Sequence, residues 1–134
     1  MNIENFADLL QAARLQPLPQ RLLFVFASAE LPDDASPEQR AGFAAGQGGA
    51  LVPAMCVDKS PDELASFEAL CQEASQIGSA WRFVFAAALS GSIPNGVAQS
   101  AVEPALQSMV ESIQRGEVSR YLVFDRQGVP VMLH

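Results

Sequence analysis

Apolar residues recur along this chain in two patterns, which alternate from one segment to the next. Three segments carry apolar residues at helical spacing, at 2–15, 60–77 and 103–115, the first with Asn2 as its expected N-cap. Four short continuous apolar runs lie at 21–27, 50–57, 81–88 and 121–125. Continuous runs of this length are typical of strands that are buried on both faces, which favours parallel pairing.

The order of these elements predicts one domain over residues 1–134. Strand–helix–strand repeats between residues 50 and 125 favour parallel strands joined by right-handed crossovers. A turn through 126–128 and a further apolar run at 129–133 predict a C-terminal β-hairpin. We therefore expect an α/β fold, with α+β as the alternative: a mixed, mostly parallel sheet of about five strands with three main helices and that hairpin.

Individual residues mark where several elements begin and end. The sequence Ser60-Pro61-Asp62-Glu63 has the form of a capping box with proline at the first helical position, and 36–39 repeats that form and predicts a short helix near 37–45. Pro53 removes a ladder donor from the second apolar run, which predicts an edge strand or a bulge. Gly116 stands where a glycine ends a helix.

Composition and charge limit the classes of partner. Fifteen acidic and eight basic residues give a net charge of −7, without the Lys/Arg stripe that would neutralise phosphates. This argues against binding to nucleic acid or to an anionic membrane, and no run approaches the roughly 18 apolar residues of a membrane span. Apolar residues make up 49% and charged residues 17%. The apolar excess and the edge strand of the terminal hairpin predict a homodimer.

The two cysteines, Cys56 and Cys71, form neither a redox pair nor a disulfide framework. Together with the lack of a cationic and apolar leader at the start of the sequence, this predicts a cytoplasmic protein with two free thiols. Cys71 falls on the apolar face of its helix. Cys56 would be reactive only if a cation such as Lys59 lowered its pKa.

The chain is poor in side chains that catalyse polar reactions. Its single histidine is His134, and most such catalysis uses a histidine, a metal cluster or a nucleophile with a partner base. The glycines at 46–49 follow a predicted helix, whereas a phosphate loop precedes one. Asp58, Ser60 and Asp62 alternate as in a calcium loop but lack its later glycine and bidentate acid. We predict no catalytic residue, no metal and no cofactor.

A small ligand would be expected in the crevice beyond the carboxyl ends of the parallel strands. The segments that follow two predicted strands supply the candidate binding residues Asp58, Lys59, Ser60, Ser92 and Asn95. Lys59 would complement an anionic group, and Ser92 and Asn95 would orient it. Alternatively, Lys59 forms an exposed ion pair with Asp58, and Ser92 and Asn95 only form turns. A further alternative is a small enzyme that uses the loops at 56–60 and 90–96, with Lys59 as a Schiff-base amine.

Four stretches carry a resemblance over essentially the whole chain: LLFVFA at 22–27, QGGALVP at 47–53, CVDKSPDEL at 56–64 and FDRQG at 124–128. Together they resemble a family of small proteobacterial proteins of similar length, often labelled "ribonucleotide reductase subunit alpha". The label implies an accessory subunit of a nucleotide-metabolising enzyme, since a catalytic subunit needs more cysteines than Cys56 and Cys71. The residues themselves favour a small, non-catalytic binding or regulatory module.

Overall fold

The computed structural model of the chain describes residues 3–31, 34–44, 50–77, 81–93 and 96–132. The helices are α1 (Phe6–Arg14), α2 (Pro37–Ala44), α3 (Phe67–Ile77) and α4 (Gln99–Gln114), with a 3₁₀ turn at Pro61–Glu63. The strands are β1 (Gln20–Glu30), β2 (Ala50–Lys59), β3 (Phe83–Ser90) and β4 (Leu122–Phe124). None of the helices in the described residues is long and apolar enough to cross a membrane.

The four strands form one antiparallel sheet in the order β2-β1-β3-β4. The expected mostly parallel sheet of five strands is therefore wrong, since every neighbouring pair runs antiparallel and the fold is α+β. β2 and β3 do run in the same direction and are joined through α3, but β1 lies between them. A helical connection sets the direction of the next strand without determining which strand lies beside it.

β1 forms the centre of the core because both of its faces are buried. Leu22, Phe24 and Phe26 pack into a cluster with residues of α1 and α3, while Leu23 and Val25 pack with residues of α4 on the opposite face. Burying each of these large side chains contributes roughly 1.5–3 kcal/mol relative to exposure. The continuous apolar run at 21–27 was correctly predicted as a strand, although its partners are antiparallel.

Pro53 interrupts β2 in both of the ways that the sequence predicts. β2 is an edge strand, and its register with β1 shifts so that Ala54 is left without a partner. The extra residue reverses which face the later side chains occupy. As a result, Leu51 packs against the α4 side of the sheet and Met55 against the α1 and α3 side.

The two capping-box sequences behave differently. At the first, Ser36 and Gln39 exchange hydrogen bonds of 2.8 and 3.1 Å, and α2 follows as predicted. At the second, Ser60 opens only the 3₁₀ turn, and α3 begins at Phe67 behind Ser66, whose hydroxyl accepts a backbone hydrogen bond. The prediction of a continuous helix from residue 60 is therefore wrong.

The other helix starts also differ from expectation. α1 begins behind Asn5, whose side chain accepts the Asp8 amide hydrogen bond, and Asn2 lies outside the described residues. α4 begins at Gln99 rather than near residue 103, which leaves Pro104 inside the helix. Pro104 cannot donate a helical hydrogen bond because it has no amide hydrogen. Burial of Val102 against the sheet offsets this loss and favours the longer helix.

The C-terminal hairpin is shorter than predicted. β4 has three residues, and the returning segment makes a single bridge, with Phe124 opposite Pro130. The Val131 amide also donates to the Val123 carbonyl at 2.9 Å. Within the described chain this segment adds no fifth strand. It does cover the outer side of β4, so that this edge of the sheet is not open along its length.

Candidate functional site

The segments that follow β2 and β3 meet at one end of the sheet. Leu22, near the start of β1, lies opposite Lys59, and Gln20 lies opposite Ser90. The two loops therefore flank the first residues of β1 rather than an open crevice between parallel strands. Of the five candidate binding residues, Asn95 lies outside the described residues, as do the glycines at 46–49.

Asp58 and Lys59 each make an ion pair, on opposite faces of β2. Asp58 Oδ2 lies 2.8 Å from Arg21 Nη2. Lys59 Nζ lies 3.0 Å from Oε1 of Glu73 on α3. Because neighbouring residues of a strand point to opposite faces, these two side chains do not converge on one ligand.

Ser60 belongs to a hydrogen-bonded corner at the start of the 3₁₀ turn. Its amide donates to Glu63 Oε1 at 3.0 Å, and the same oxygen lies 2.7 Å from Arg21 Nη1. These contacts, the Ser60 amide first and then its hydroxyl and Arg21, lower the pKa of Glu63 to about 2. Exposed ion pairs contribute little to stability, so the main effect is to fix the 3₁₀ turn against the start of β1.

Ser92 lies in a tight turn. Its amide donates to the Gly96 carbonyl at 3.1 Å, and the Gly96 amide donates back to the Ser92 carbonyl at 2.7 Å. A Cβ at Gly91 would lie 2.2 Å from the Gly96 carbonyl carbon, so glycine is required for this close approach. The turn leaves the side chain of Ile93 70% exposed.

Both cysteines are free, as predicted. Cys71 packs partly buried against the cluster formed with α1 and α3, and Cys56 is exposed on β2. Desolvation raises the pKa of each thiol. Neither thiol is therefore activated as a thiolate at neutral pH.

A cleft of about 510 Å³ opens where this end of the sheet meets the 3₁₀ turn. Its apolar lining comes from the turn between α1 and β1, from the 3₁₀ turn and from the loop after β3: Pro17, Leu18, Pro19, Pro61 and Ile93. Ser60 is the only predicted binding residue that the structure places in this lining, among those it describes. The remaining lining could not be anticipated, because its segments come together only in the tertiary fold.

Side-chain nitrogens of Arg14 and Gln20 in the cleft lining donate to oxygens of the protein itself. Arg14 Nη2 donates to the carbonyls of Pro61 and Leu64 at 3.1 and 3.3 Å. Gln20 Nε2 donates to Ser90 Oγ at 2.9 Å. Asp62, by contrast, lines the cleft without a hydrogen bond or ion pair to another described residue. The cleft thus combines apolar walls with a carboxylate that is open to a ligand.

A second cavity, of about 270 Å³, lies between the first turns of α1 and α3. Asn5 and Ser66 line it, and both already accept backbone hydrogen bonds as N-caps. No group of three or more His, Cys, Asp or Glu side chains in the described part of the chain is placed to hold a metal ion.

Comparison of the chain with protein-family models, curated proteins and solved structures finds no match. The resemblance to the small proteobacterial family therefore stays a prediction.

Proposed function

We propose that this protein is a non-catalytic binding module and that its contact surface is the cleft beside the 3₁₀ turn. One observation carries the proposal: apolar side chains are exposed beside the cleft, with Leu18 43% and Ile93 70% accessible to solvent. Clustered exposed apolar side chains with a polar rim are typical of contact sites. The volume of about 510 Å³ lies within the roughly 300–1,000 Å³ of ligand-binding clefts.

The polar side chains near the cleft support binding over catalysis. Lys59 is neutralised by Glu73, and Asp58 is held by Arg21. A Schiff-base amine or a general base must be free to approach its substrate. These contacts disfavour a small enzyme using the loops at 56–60 and 90–96. An accessory subunit of a nucleotide-metabolising enzyme remains compatible with a binding module, and two free thiols fit a cytoplasmic location.

Self-association is a second candidate, favoured by another group of exposed apolar side chains. Leu122, Val129 and Met132 are 37%, 53% and 84% exposed at the β4 edge. This group, the hairpin patch, lies on β4 and on the segment that returns after it, at the opposite side of the sheet from β2. A homodimer would bury it, and the cleft would remain available to another partner.

The cleft is tested by comparing three immobilised proteins: wild type, Ile93→Asp and Met132→Asp. A partner from native cell extract that uses the cleft should bind wild type and Met132→Asp equally and be lost with Ile93→Asp. The Met132→Asp variant is the matched control because it places the same charge on an exposed apolar position away from the cleft. Equal retention by all three proteins, or loss with Met132→Asp alone, would contradict the proposal.

A further inference from the structure

We propose that the cleft receives a lysine or arginine side chain of a protein partner. The aliphatic stem would lie against Leu18, Pro61 and Ile93, and the cationic head would pair with the carboxylate of Asp62. This inference rests on the proposed function, because it assigns the chemistry of the partner to the same cleft.

The balance of donors and acceptors in the cleft selects a ligand that donates. Pro17, Pro19 and Pro61 have no amide hydrogen, while Arg14 Nη2 and Gln20 Nε2 donate to oxygens of the protein itself. Asp62 offers carboxylate oxygens that no described residue uses. A charged acceptor beside apolar walls is best satisfied by a cationic donor, whose hydrogen bond is stronger than that of a neutral group.

The shape and polarity of the lining suit a side chain that is apolar along its length and charged at its end. Lysine and arginine bury their methylene stems on apolar surface while the head stays near water. Leu18 and Ile93 expose apolar surface in the lining of the cleft, which also contains Asp62. A purely apolar side chain would make no use of the Asp62 carboxylate, which is exposed to solvent.

The charges around the cleft agree with a cationic ligand. Within the cleft lining, Arg14 and Asp62 carry opposite charges. Beside the cleft, Arg21 pairs with both Asp58 and Glu63, which leaves one excess negative charge at this corner. Both guanidinium groups are held by the protein, Arg14 by carbonyls and Arg21 by carboxylates. The net charge of −7 would also speed the approach of a basic partner. The same charges oppose the small anionic ligand that the sequence suggested.

The test is an NMR titration of the full chain with three blocked amino acids: Nα-acetyl-lysine, Nα-acetyl-norleucine and Nα-acetyl-glutamate N-methylamides. Norleucine is the matched probe because it keeps the stem of lysine and lacks the ammonium group. We expect the lysine probe to shift the amides of Leu18, Asp62 and Ile93, with a Kd about two- to fivefold below that of norleucine. The Asp62→Asn variant should remove this preference, and Glu103→Gln, on exposed α4 surface, should retain it.

Each outcome decides a different point. Equal binding of lysine and norleucine probes would overturn the basic-ligand proposal but leave an apolar contact at the cleft intact. Tightest binding of the glutamate probe, or shifts confined to residues away from the cleft, would also overturn it. If no probe shifts these amides at tens of millimolar, the inference fails, and the capture experiment with Ile93→Asp still decides whether the cleft binds a partner.

Discussion

Arg21 Nη1 lies 2.7 Å from Glu63 Oε1, and this contact ties the start of the central strand to the 3₁₀ turn. The 3₁₀ turn supplies Pro61 and Asp62 to the lining of the cleft. The position of that wall therefore depends on an ion pair between residues 42 positions apart. Because the pair is exposed, its expected role lies in local geometry more than in global stability.

Protonation of Glu63 should weaken its contacts with Ser60 and Arg21, which hold the 3₁₀ turn against the start of β1. Its pKa is about 2 in the folded chain against 4.5 for the free group. The folded state thus favours the carboxylate, and the resulting stability is present above about pH 4.5 and lost as the pH falls through 2. The urea midpoints of wild type and Glu63→Gln should differ slightly at neutral pH, as expected for an exposed pair, and should converge toward pH 2. Glu103→Gln serves as the control and should follow wild type, whereas a constant offset for Glu63→Gln would contradict this assignment.

Phe24 is one of the largest fully buried core residues, and its truncation should be costly. Its side chain is fully buried on β1, with its ring centroid 5.8 Å from that of Phe6. Phe24→Ala should lower the free energy of unfolding by about 3–5 kcal/mol. Leu15→Ala, at an exposed position, should change it by less than about 0.5 kcal/mol. Similar losses in urea denaturation for both variants would contradict the burial described for Phe24.

Gly116 ends α4 in the left-handed region, with φ at +75°. The Glu117 amide donates to the Ser112 carbonyl at 2.8 Å, and the Gly116 amide donates to the Ile113 carbonyl at 3.0 Å, which is a Schellman arrangement. Apart from the chain neighbours, no described residue has an atom within 4 Å of a Cβ built at Gly116, so backbone strain is the main effect of a substitution. Gly116→Ala should cost about 1 kcal/mol in thermal or urea unfolding. Gly116→Asn should cost less, and equal costs would argue against a left-handed cap.

Gly116 and Pro53 could be assigned from the sequence because their constraints are local. A missing amide restricts Pro53 to an edge or a bulge, and a missing side chain lets Gly116 adopt positive φ. Strand pairing depends on contacts between residues that are distant in sequence. The apolar run at 21–27 indicates a strand buried on both faces, but both parallel and antiparallel neighbours satisfy that burial. No local sequence pattern indicates that β1 lies between β2 and β3.

The candidate site also contains residues that the sequence could identify and residues that only the tertiary fold brings together. Ser60 could be found because it follows a strand and caps the next turn. The ion pair of Lys59 with Glu73 depends on how α3 packs, and Asp62 lines a cleft whose other walls come from distant segments. Leu18 and Ile93 are distant in sequence and line the same cleft only after folding.

The two thiols should react slowly and in a definite order. Cys56 is exposed and Cys71 is partly buried, and desolvation raises the pKa of both above the ordinary value of 9.0. A disulfide reagent at pH 7 should label Cys56 first. The labelling rate should rise about tenfold for each unit of pH increase, because the thiolate is the reacting form. The variants Cys56→Ser and Cys71→Ser show which cysteine gives the fast and which the slow phase of labelling. Rapid labelling of Cys71 without denaturant would contradict its packing.

The hairpin patch should produce a homodimer through side-chain contact rather than through extension of the sheet. The segment that returns after β4 already bonds to that strand, and Pro130 has no amide to donate outward. The net charge of −7 opposes association, so raising the ionic strength should strengthen the dimer by screening that repulsion. In sedimentation at high micromolar concentration, Val129→Asp should shift the protein to monomer, and Ile93→Asp, outside the patch, should not. A wild-type monomer under these conditions, or a dimer weakened by salt, would rule out an apolar contact at the hairpin patch.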